Sequence, residues 1–415
     1  MRVVHLSESD HVGGAAIAAH RLNRGLRALD VDSCMLVNKK ISQDESVVGP
    51  ESRFDKAMSR VSPYIDRLLC KFTQTGYSLI SPAWVPDHLL HRVSLLGADI
   101  LNLHWINNGF MRIETLRKFR KPVIWTLHDM WPFCGGEHYC GESYRYKTGY
   151  LRNNRLDGES GLDINRWVWL RKKKAWSGLN EMVIATPSKW LAACAAESAL
   201  FMGSRIEVLP NGVDHERFHP IEPLLARRVL GLPANKKLIL FGAGSATSDK
   251  RKGFHLLVEA LNKLEASNFK IDYELVVFGA SSGEAGFSAK THYLGNLSDE
   301  ISMSIVYAAA DIFVAPSVED NLPNTVLEAL SCGTPVIAFN TGGMPDMISH
   351  KQNGYLASGF NTSDLCDGMV WLMKDGQKYR ELSDCARKTV IDNFTLEKSA
   401  NRYLDVYKSM IEGND

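Results

Sequence analysis

The chain has 415 residues, and its 48 basic and 47 acidic side chains give a formal net charge of +1. This length exceeds one ordinary hydrophobic core and indicates two domains of about 200 residues each. The balanced charge gives no overall field that would attract nucleic acid, so no nucleic-acid partner is expected. The eight cysteines lack paired metal-ligand spacing, which favours a reduced, cytoplasmic protein.

The first predicted element is a short strand in "MRVVHLSESDHVGG", which gives way to polar residues before it could form the apolar core of a signal peptide. The sequence also contains no run of 18 consecutive apolar residues, so no membrane-spanning helix is predicted. The expected location is therefore the cytoplasm, with the inner face of the membrane as an alternative.

Short β-rich runs recur along the chain, each followed by a turn and a stretch with helical periodicity, which indicates parallel βαβ units. In the first half these runs cover 2–6, 33–37, 98–104, 122–128 and 182–188. In the second half they cover 206–210, 237–242, 273–279, 311–317 and 334–340. We expect an α/β fold with two Rossmann-like, doubly wound domains that face each other across a cleft.

The domain boundary is predicted near 204–220, where the turn-rich stretch "LPNGVDHERFHP" at 209–220 suits a linker. The N-terminal domain is predicted over 1–205 and the C-terminal domain over 206–394. A C-terminal helix at about 395–415 is expected to pack back on the N-terminal domain.

In the N-terminal domain, Gly13 and Gly14 precede a helix of small apolar residues, and His128 and Asp129 follow the strand run at 122–127. Glycines at a helix start admit a ligand close to free backbone amides, and a histidine at a strand end can hydrogen-bond a sugar hydroxyl. The alternatives are a tight turn that allows close helix packing and a structural histidine.

Two further stretches of this domain have competing interpretations. In "CGGEHYC", Cys134, His138 and Cys140 make only a weak zinc signal, so no metal site is predicted. The tryptophans and basic residues of "RWVWLRKKKAW" at 166–176 would suit contact with an anionic membrane. A tryptophan face packed in the core, with solvated cations opposite, is the competing interpretation.

In the C-terminal domain, Lys250, Arg251 and Lys252 lie on a Gly/Ser/Thr loop before a helix. Cations and backbone amides at such a place suit a diphosphate, whereas the alternative is a solvated basic turn. The glycine pair Gly342 and Gly343 follows another strand run and is expected to face the same cleft.

Three acids surround the strand-to-helix turn in "APSVEDNLPNTVLEAL": Glu319, Asp320 and Glu328. Ligands of α/β proteins usually bind outside the carboxyl ends of the parallel strands, where this turn lies. The competing interpretation is that acids cap the positive end of the helix.

Several stretches together resemble the retaining glycosyltransferases of family 4, which have the GT-B fold. The resemblance covers nearly the whole chain and rests on these stretches: "VGGAAIAAHRL", "TLHDMWPFCGGEHY", "VLPNGVDHERFHP", "KGFHLLVEAL" and "APSVEDNLPNTVLEALSCGTPVIAFNTGGMPDMI". The last stretch is the most specific, because in that family two acids eight positions apart bracket this turn.

The resemblance implies roles for individual residues. Glu328 matches the acid that holds the nucleotide ribose, and Asp320 takes the position of the acid beside the donor sugar, with Glu319 displaced by one. Lys252 matches the diphosphate-binding lysine and His128 the sugar-contacting histidine. The family's diphosphate-binding arginine would fall at Ser245 or Ala246, so Arg251 or Lys250 would have to supply that charge.

The expected function is a retaining, metal-independent hexosyltransferase without a cofactor, which uses a nucleotide-diphosphate sugar as donor. The donor site would comprise Glu328, Lys252, Arg251, Glu319 and the helix-start residues, among them Asn324, Thr325, Gly342 and Gly343. His128, Asp320 and Lys252 would be catalytic, and Gly13, Gly14 and Asp129 would lie on the acceptor side.

The acceptor would be a glycan or a polyprenyl-linked sugar in bacterial exopolysaccharide, capsule or lipopolysaccharide O-antigen synthesis. A sugar-nucleotide epimerase or hydrolase of GT-B fold, or a non-catalytic nucleotide-sugar-binding protein, are the alternatives.

Overall fold

The computed structural model describes residues 1–179, 181–242, 249–267, 272–282, 288–374 and 376–412. The chain divides into two compact units. Unit 1 comprises Met1–Pro210 together with Ser399–Asp415, and unit 2 comprises Asn211–Lys398. The chain passes from unit 1 to unit 2 after Pro210, inside the predicted turn-rich stretch, and returns to unit 1 after Lys398.

Unit 1 alternates strands and helices along the chain. Its strands are β1 Arg2–Ser9, β2 Asp32–Lys39, β3 Val47–Val48, β4 Thr73–Gln74, β5 Ile100–Leu103, β6 Val123–Thr126, β7 Ser160–Gly161, β8 Val183–Thr186 and β9 Ile206–Val208. Its helices before Pro210 are α1 Gly14–Ala28, α2 Arg53–Arg67, α3 Leu89–Leu96, α4 Arg145–Thr148, α5 Ile164–Trp176 and α6 Lys189–Ala196, and 3-10 turns cover Leu68–Phe72, Ile113–Lys118 and Arg152–Asn154.

The described strands of unit 1 form a seven-stranded parallel sheet in the order β3-β2-β1-β5-β6-β8-β9, and β4 pairs with β7 in a small antiparallel ladder. Strand β9 pairs with β8, so the prediction that 206–210 begins the second domain is wrong. The short helix α6 crosses back over the sheet and places β9 beside β8 before the chain leaves the unit.

Unit 2 repeats the alternation. Its strands are β10 Lys237–Gly242, β11 Tyr273–Phe278, β12 Thr291–Tyr293, β13 Ile312–Ala315, β14 Val336–Phe339 and β15 Gly354–Ala357. Its helices are α7 Pro223–Leu230, α8 Phe254–Ala266, α9 Glu300–Ala309, α10 Asn324–Ser331, α11 Met344–Met347, α12 Thr362–Met373 and α13 Gly376–Asn393, and a 3-10 turn covers Lys250–Lys252.

The described strands of unit 2 form a six-stranded parallel sheet in the order β12-β11-β10-β13-β14-β15. This is the doubly wound order of Rossmann-like domains, in which the sheet grows outwards from its centre in both directions. Strands β13 and β14 are buried at every position, as expected where helices cover both faces of a parallel sheet. The predicted α/β, doubly wound fold is confirmed for both units.

The last helix, α14 Leu396–Glu412, contributes its main part to unit 1. Tyr403 and Tyr407 are buried against the sheet, where their hydroxyls hydrogen-bond Thr126 at 3.1 Å and Asn102 at 2.8 Å. Across the part of the chain that the structure describes, no helix has the combination of length and apolar character that crossing a bilayer needs.

Helix α5 contains the predicted 166–176 segment, and it packs in the core of unit 1. Trp169 and Trp176 are 3% and 7% exposed, and Lys172 is fully buried with its ammonium directed at backbone carbonyls of the loop 131–135. The hypothesis that Trp169 and Trp176 rest on a membrane is therefore wrong, and a core-packed face is confirmed for these two, whereas Trp167 is 39% exposed. Unlike the exposed Lys173 and Lys174, Lys172 is not a solvated cation.

Candidate functional site

The strand order of unit 2 reverses between β10 and β13, and ligands of open α/β sheets bind beyond the carboxyl ends of the strands at such a point. Two segments meet there. After β10 comes the turn Lys250–Lys252, and after β13 comes the segment 316–323, which we call the Asp320 turn. The Val318 amide of the Asp320 turn donates to the Arg251 carbonyl at 2.8 Å.

Two glycines allow this close approach. Gly253 has φ +73° and Gly342 has φ +55°, a region that side chains other than glycine adopt with strain. A Cβ at Gly253 would collide with the carbonyl oxygen of Pro316, and one at Gly342 with the carbonyl oxygen of Asp320. The Asp320 turn is therefore held from two sides by backbone that requires glycine.

The second predicted glycine has a different role from the one expected. The amide of Gly343 donates to the carbonyl of Asp320 at 3.0 Å, and the amide of Met344 donates to that of Thr341 at 3.2 Å. Gly343, which is predicted as a helix-start residue of the donor site, therefore binds a backbone carbonyl through its amide, and so does Met344. They hold the backbone of the site in place.

Lys252 and Asp320 form the ion pair at the centre of the site, with 2.6 Å between Nζ and Oδ2. Asp320 is 7% exposed, and Ser317 donates to the same oxygen at 3.2 Å. Burial alone would raise the pKa of Asp320, but the charges of Lys252 and Arg251 and these hydrogen bonds hold the pKa below its usual range. The carboxylate is therefore ionised at neutral pH and keeps the ammonium in a fixed place.

Arg251 supports the turn from its other side. Its guanidinium donates to the Glu319 carbonyl at 2.8 Å and to the Asp249 carboxylate at 3.2 Å, and lies 3.6 Å from Asp320 Oδ2. Of the two candidate acids, Asp320 is the one whose carboxylate pairs with Lys252, whereas Glu319 contributes a backbone carbonyl to Arg251. Ser245 and Ala246 lie outside the described residues.

Glu328 lies on α10 and is 5% exposed. The hydroxyl of Tyr307, on α9, donates to its Oε2 at 3.0 Å and fixes the orientation of the carboxylate. At the start of α10, the side-chain Nδ2 of Asn211 donates to Asn324 Oδ1 at 3.3 Å and to the Leu322 carbonyl at 3.4 Å.

Helix α10 begins after Pro323, whose side chain makes no capping hydrogen bond, and its first turn carries no acidic residue. The carboxylate of Asp320 is bound by Lys252 and Ser317 instead of capping α10, so the capping interpretation is wrong for Asp320. A small depression opens beside the ion pair, where Thr325, Ser317, Lys252 and Asp320 supply the polar lining. The apolar lining comes from these residues: Phe241, Gly242, Phe313, Ala315, Pro316 and Pro323.

In unit 1, His128 lies just after β6 and contacts a second histidine. Its Nε2 is 3.0 Å from Nδ1 of His104, which follows β5, and Nε2 of His104 is 3.0 Å from Nδ1 of His5 on β1. Burial lowers the pKa of His128 to about 4 and that of His5 to about 3, and lowers the pKa of His104 well below its usual value. All three rings are therefore neutral at physiological pH.

Asp129 was predicted on the acceptor side, and its carboxylate is occupied within unit 1. Oδ2 accepts from His138 at 2.6 Å and from the Trp105 indole at 3.0 Å, and Oδ1 accepts from the Trp131 amide at 3.0 Å. Burial would raise the pKa of Asp129, but His138 and these hydrogen bonds lower it. Asp129 and His138 together fix the loop that carries Cys134 and Cys140.

Gly13 and Gly14 lie at the start of α1, as predicted, and both are exposed. Gly13 has φ +86°, yet a Cβ there would meet no atom within 4 Å. Backbone conformation rather than close packing therefore accounts for this glycine. The first turn of α1 carries no acidic residue.

Some residues of these sites were missed in the sequence. His104 ends the predicted strand 98–104 in the same way that His128 ends the strand 122–128, so the two histidines could have been paired from neighbouring strand ends. Tyr307 and Asn211 carry no sequence signal, since their partners are set by how α9 and the segment after Pro210 pack against α10.

The two family models that match the chain divide it in a similar way. The model described as Glycosyltransferase Family 4 matches residues 12–217, and the model described as Glycosyl transferases group 1 matches residues 225–389. A D-inositol 3-phosphate glycosyltransferase from Xylanimonas cellulosilytica is 32% identical over 334 residues, which cover 74% of this chain and 71% of the relative. For four other relatives of that name, the aligned part spans 61 to 74% of the relative's length.

Solved structures share the fold over the full length. Sucrose-phosphate synthase from Thermosynechococcus elongatus has a TM-score of 0.72 at 17% identity, with 100% of both chains covered. Anabaena HepE in complex with UDP-glucose has a TM-score of 0.64 at 15% identity, with 99% of this chain and 100% of the other covered. The fold is thus that of the GT-B glycosyltransferases, which confirms the predicted fold class.

The chain belongs to the glycosyltransferase family described by these group 1 and family 4 models. It is an enzyme of the glycosyltransferase class, as predicted.

Proposed function

We propose that this glycosyltransferase uses a nucleotide-diphosphate sugar as donor and binds it in unit 2, at the Lys252–Asp320 pair. The pair is the observation that carries the proposal. A buried carboxylate holds one ammonium at the strand-order reversal, where a ligand's phosphates would meet it. The structure of HepE in complex with UDP-glucose supports this class of donor.

Glu328 is proposed to accept hydrogen bonds from the ribose hydroxyls. It needs a fixed orientation for that role, and the Tyr307 hydroxyl provides one. Lys252 would neutralise the diphosphate as it leaves, which is the stage at which its negative charge grows. Arg251 would add to the local positive charge, although its hydrogen bonds to Glu319 and Asp249 make it chiefly a support of the turn.

We propose that transfer retains the configuration at the sugar's C1. The bond from C1 to the phosphate oxygen breaks, the acceptor oxygen forms its bond to C1 on the same face, and the acceptor's proton passes to the departing phosphate oxygen. This route needs no protein nucleophile, in keeping with an Asp320 carboxylate that is already bound by Lys252 and Ser317. We propose His128, in unit 1, as a residue that contacts a sugar hydroxyl.

The reaction is proposed to proceed without a metal ion, because Lys252 can supply the charge that a divalent cation would otherwise bring to the diphosphate. Activity should therefore survive an excess of EDTA. Loss of activity in EDTA that is restored by Mg²⁺ would contradict metal independence.

For the acceptor we propose a glycan or polyprenyl-linked sugar in bacterial surface polysaccharide synthesis, with the enzyme working in the cytoplasm at the inner face of the membrane. The relatives named D-inositol 3-phosphate glycosyltransferase favour a second candidate, a phosphorylated cyclitol. Mass spectrometry of products formed with each acceptor class separates the two.

The donor site is tested with Lys252→Ala and Glu328→Ala in a transfer assay with the donor that raises the melting temperature most in a screen of UDP-, GDP-, ADP- and dTDP-sugars. Each variant should lose roughly 10²–10³-fold in kcat/KM while staying folded, as expected when one preorganised electrostatic contact is removed. Lys290→Ala is the matched control, because that lysine side chain is 69% exposed.

Near-wild-type turnover by either Lys252→Ala or Glu328→Ala would refute the site assignment. Donor turnover without any acceptor would instead point to the epimerase or hydrolase alternative.

A further inference from the structure

A continuous chain of hydrogen bonds, buried in its middle and part-buried at both ends, runs through unit 1 and ends at His128. We call it the histidine relay, and its members in order are Asp44, Ser46, Asn23, Ser33, His5, His104 and His128. The three histidines lie on or just after β1, β5 and β6, which are neighbours in the sheet. Asn23 lies on α1 and Ser33 on β2.

One end of the relay has a fixed hydrogen-bond direction. The Ser46 hydroxyl donates to Asp44 Oδ1 at 2.8 Å, and burial, which would raise the pKa of Asp44, is outweighed by hydrogen bonds from Ser46 and His20 that lower it. An ionised carboxylate only accepts hydrogen bonds. The single proton of the Ser46 hydroxyl is therefore committed to Asp44.

The direction then passes along the relay, because each hydroxyl has one proton. Asn23 Nδ2 donates to Ser46 Oγ at 2.8 Å, and its Oδ1 accepts from Ser33 Oγ at 2.7 Å. Ser33 has no second proton to offer His5, whose Nε2 is 3.2 Å away. His5 Nε2 must therefore carry the proton and donate it to Ser33.

The same logic sets both remaining rings. A neutral imidazole has one N–H and one acceptor nitrogen. Since His5 is protonated on Nε2, its Nδ1 accepts from Nε2 of His104 at 3.0 Å. Nδ1 of His104 in turn accepts from Nε2 of His128 at 3.0 Å. The proton of His128 is thereby placed on Nε2, and Nδ1 becomes its acceptor nitrogen.

We propose that the histidine relay selects this tautomer of His128, so that Nδ1 accepts a hydrogen bond from a hydroxyl of a bound sugar. The sugar contact rests on the proposed function, whereas the tautomer follows from the relay alone. His5, His104, Ser33 and Asn23 are then positioning residues that act through His128. The opposite direction would put the proton on Nδ1 and turn an acceptor of hydroxyl protons into a donor.

The tautomer is measured by long-range ¹H–¹⁵N NMR of protein labelled with ¹⁵N-histidine, with signals assigned by single His→Gln variants. In the wild-type protein at neutral pH, His5, His104 and His128 should each show the proton on Nε2. A proton on Nδ1 of His128 would overturn the proposal.

The control by the relay is tested with Asn23→Ala. This variant removes the acceptor of the Ser33 proton, which can then turn toward His5 Nε2 and reverse the relay, so Nδ1–H should appear at His128. Ser33→Ala, which removes only one hydroxyl, gives a second test if Asn23→Ala folds poorly. Wild-type tautomers in both folded variants would refute control by the relay.

Thr126→Val is the matched control. Thr126 is equally buried in the same sheet, and its hydroxyl bonds Asn102 and Tyr403 outside the relay. This variant should leave both the tautomer of His128 and transfer unchanged.

Kinetics separate the two parts of the proposal. A reversed relay should lower kcat/KM for transfer by about fivefold to tenfold, the value of one neutral hydrogen bond. A tautomer change with unaltered kinetics would overturn the sugar contact and leave the relay standing.

Discussion

The Lys252–Asp320 ion pair should contribute measurably to the stability of unit 2, and a double-mutant cycle of Lys252→Met and Asp320→Asn isolates that contribution. At 2.6 Å and an effective dielectric constant of about 20, the Coulomb attraction is about 6 kcal/mol. Desolvation offsets most of it, since the two side chains are only 18% and 10% exposed. A charge-assisted hydrogen bond of this kind leaves a net coupling energy of about 1.5–3 kcal/mol.

The assay is urea unfolding of the wild-type protein, both single variants and the double variant. Because the pKa of Asp320 lies below its usual range in the folded protein, the pair contributes fully above the unfolded-state pKa of about 3.9 and is lost as the pH falls through the folded-state pKa. The stability difference between the wild type and Lys252→Met should therefore be greatest near neutral pH and shrink below about pH 4.

The exposed pair Lys236–Asp272 serves as the control, because its carboxylate side chain is 69% exposed and should show a smaller coupling energy. A coupling energy for Lys252 and Asp320 below about 0.5 kcal/mol, or one that does not change with pH, would refute the claim that a buried charge pair organises the site.

Two further stability measurements test the packing inside each unit. Gly253→Ala and Gly342→Ala should each lower the free energy of unfolding in urea by more than about 2 kcal/mol, because the new Cβ meets a carbonyl oxygen. Gly231 has φ +66° with no atom near the position of a Cβ, so the control Gly231→Ala should cost only about 1 kcal/mol. Equal costs for the three variants would count against steric crowding. Lys172→Met should destabilise unit 1 by about 2–3 kcal/mol, because buried carbonyls lose their hydrogen-bond donor. The control Lys174→Met should change the free energy of unfolding by no more than about 0.5 kcal/mol. Similar changes for the two variants would argue against a structural role for Lys172 in the core.

The sequence was sufficient to place Lys252 and Asp320 in one site because each follows a strand of the same parallel sheet. Strand ends of such a sheet share one edge, so two motifs that follow strands can be brought together without knowledge of the intervening chain. The sequence could not reveal that Arg251 binds the carbonyl of Glu319, since that contact depends on the path of the backbone after β13.

Two other errors have physical causes of the same type. The run 206–210 has the composition of a buried strand in either unit, and only the pairing of β9 with β8 assigns it to unit 1. The tryptophans of 166–176 recur at helical spacing beside cations, a pattern that fits a membrane surface or a core. Burial of Lys172 against loop carbonyls, which no spacing rule predicts, decides for the core.

Because α14 belongs mainly to unit 1, this unit is completed only when the end of the chain has been synthesised. Tyr403 and Tyr407 cover one side of the sheet of unit 1, but they are synthesised after all of unit 2. Unit 1 therefore leaves the ribosome first and is completed last. Until then its apolar surface is open to chaperones and to other nascent chains. Chains truncated before α14 should thus suffer in unit 1, at the opposite end of the sequence from the deletion.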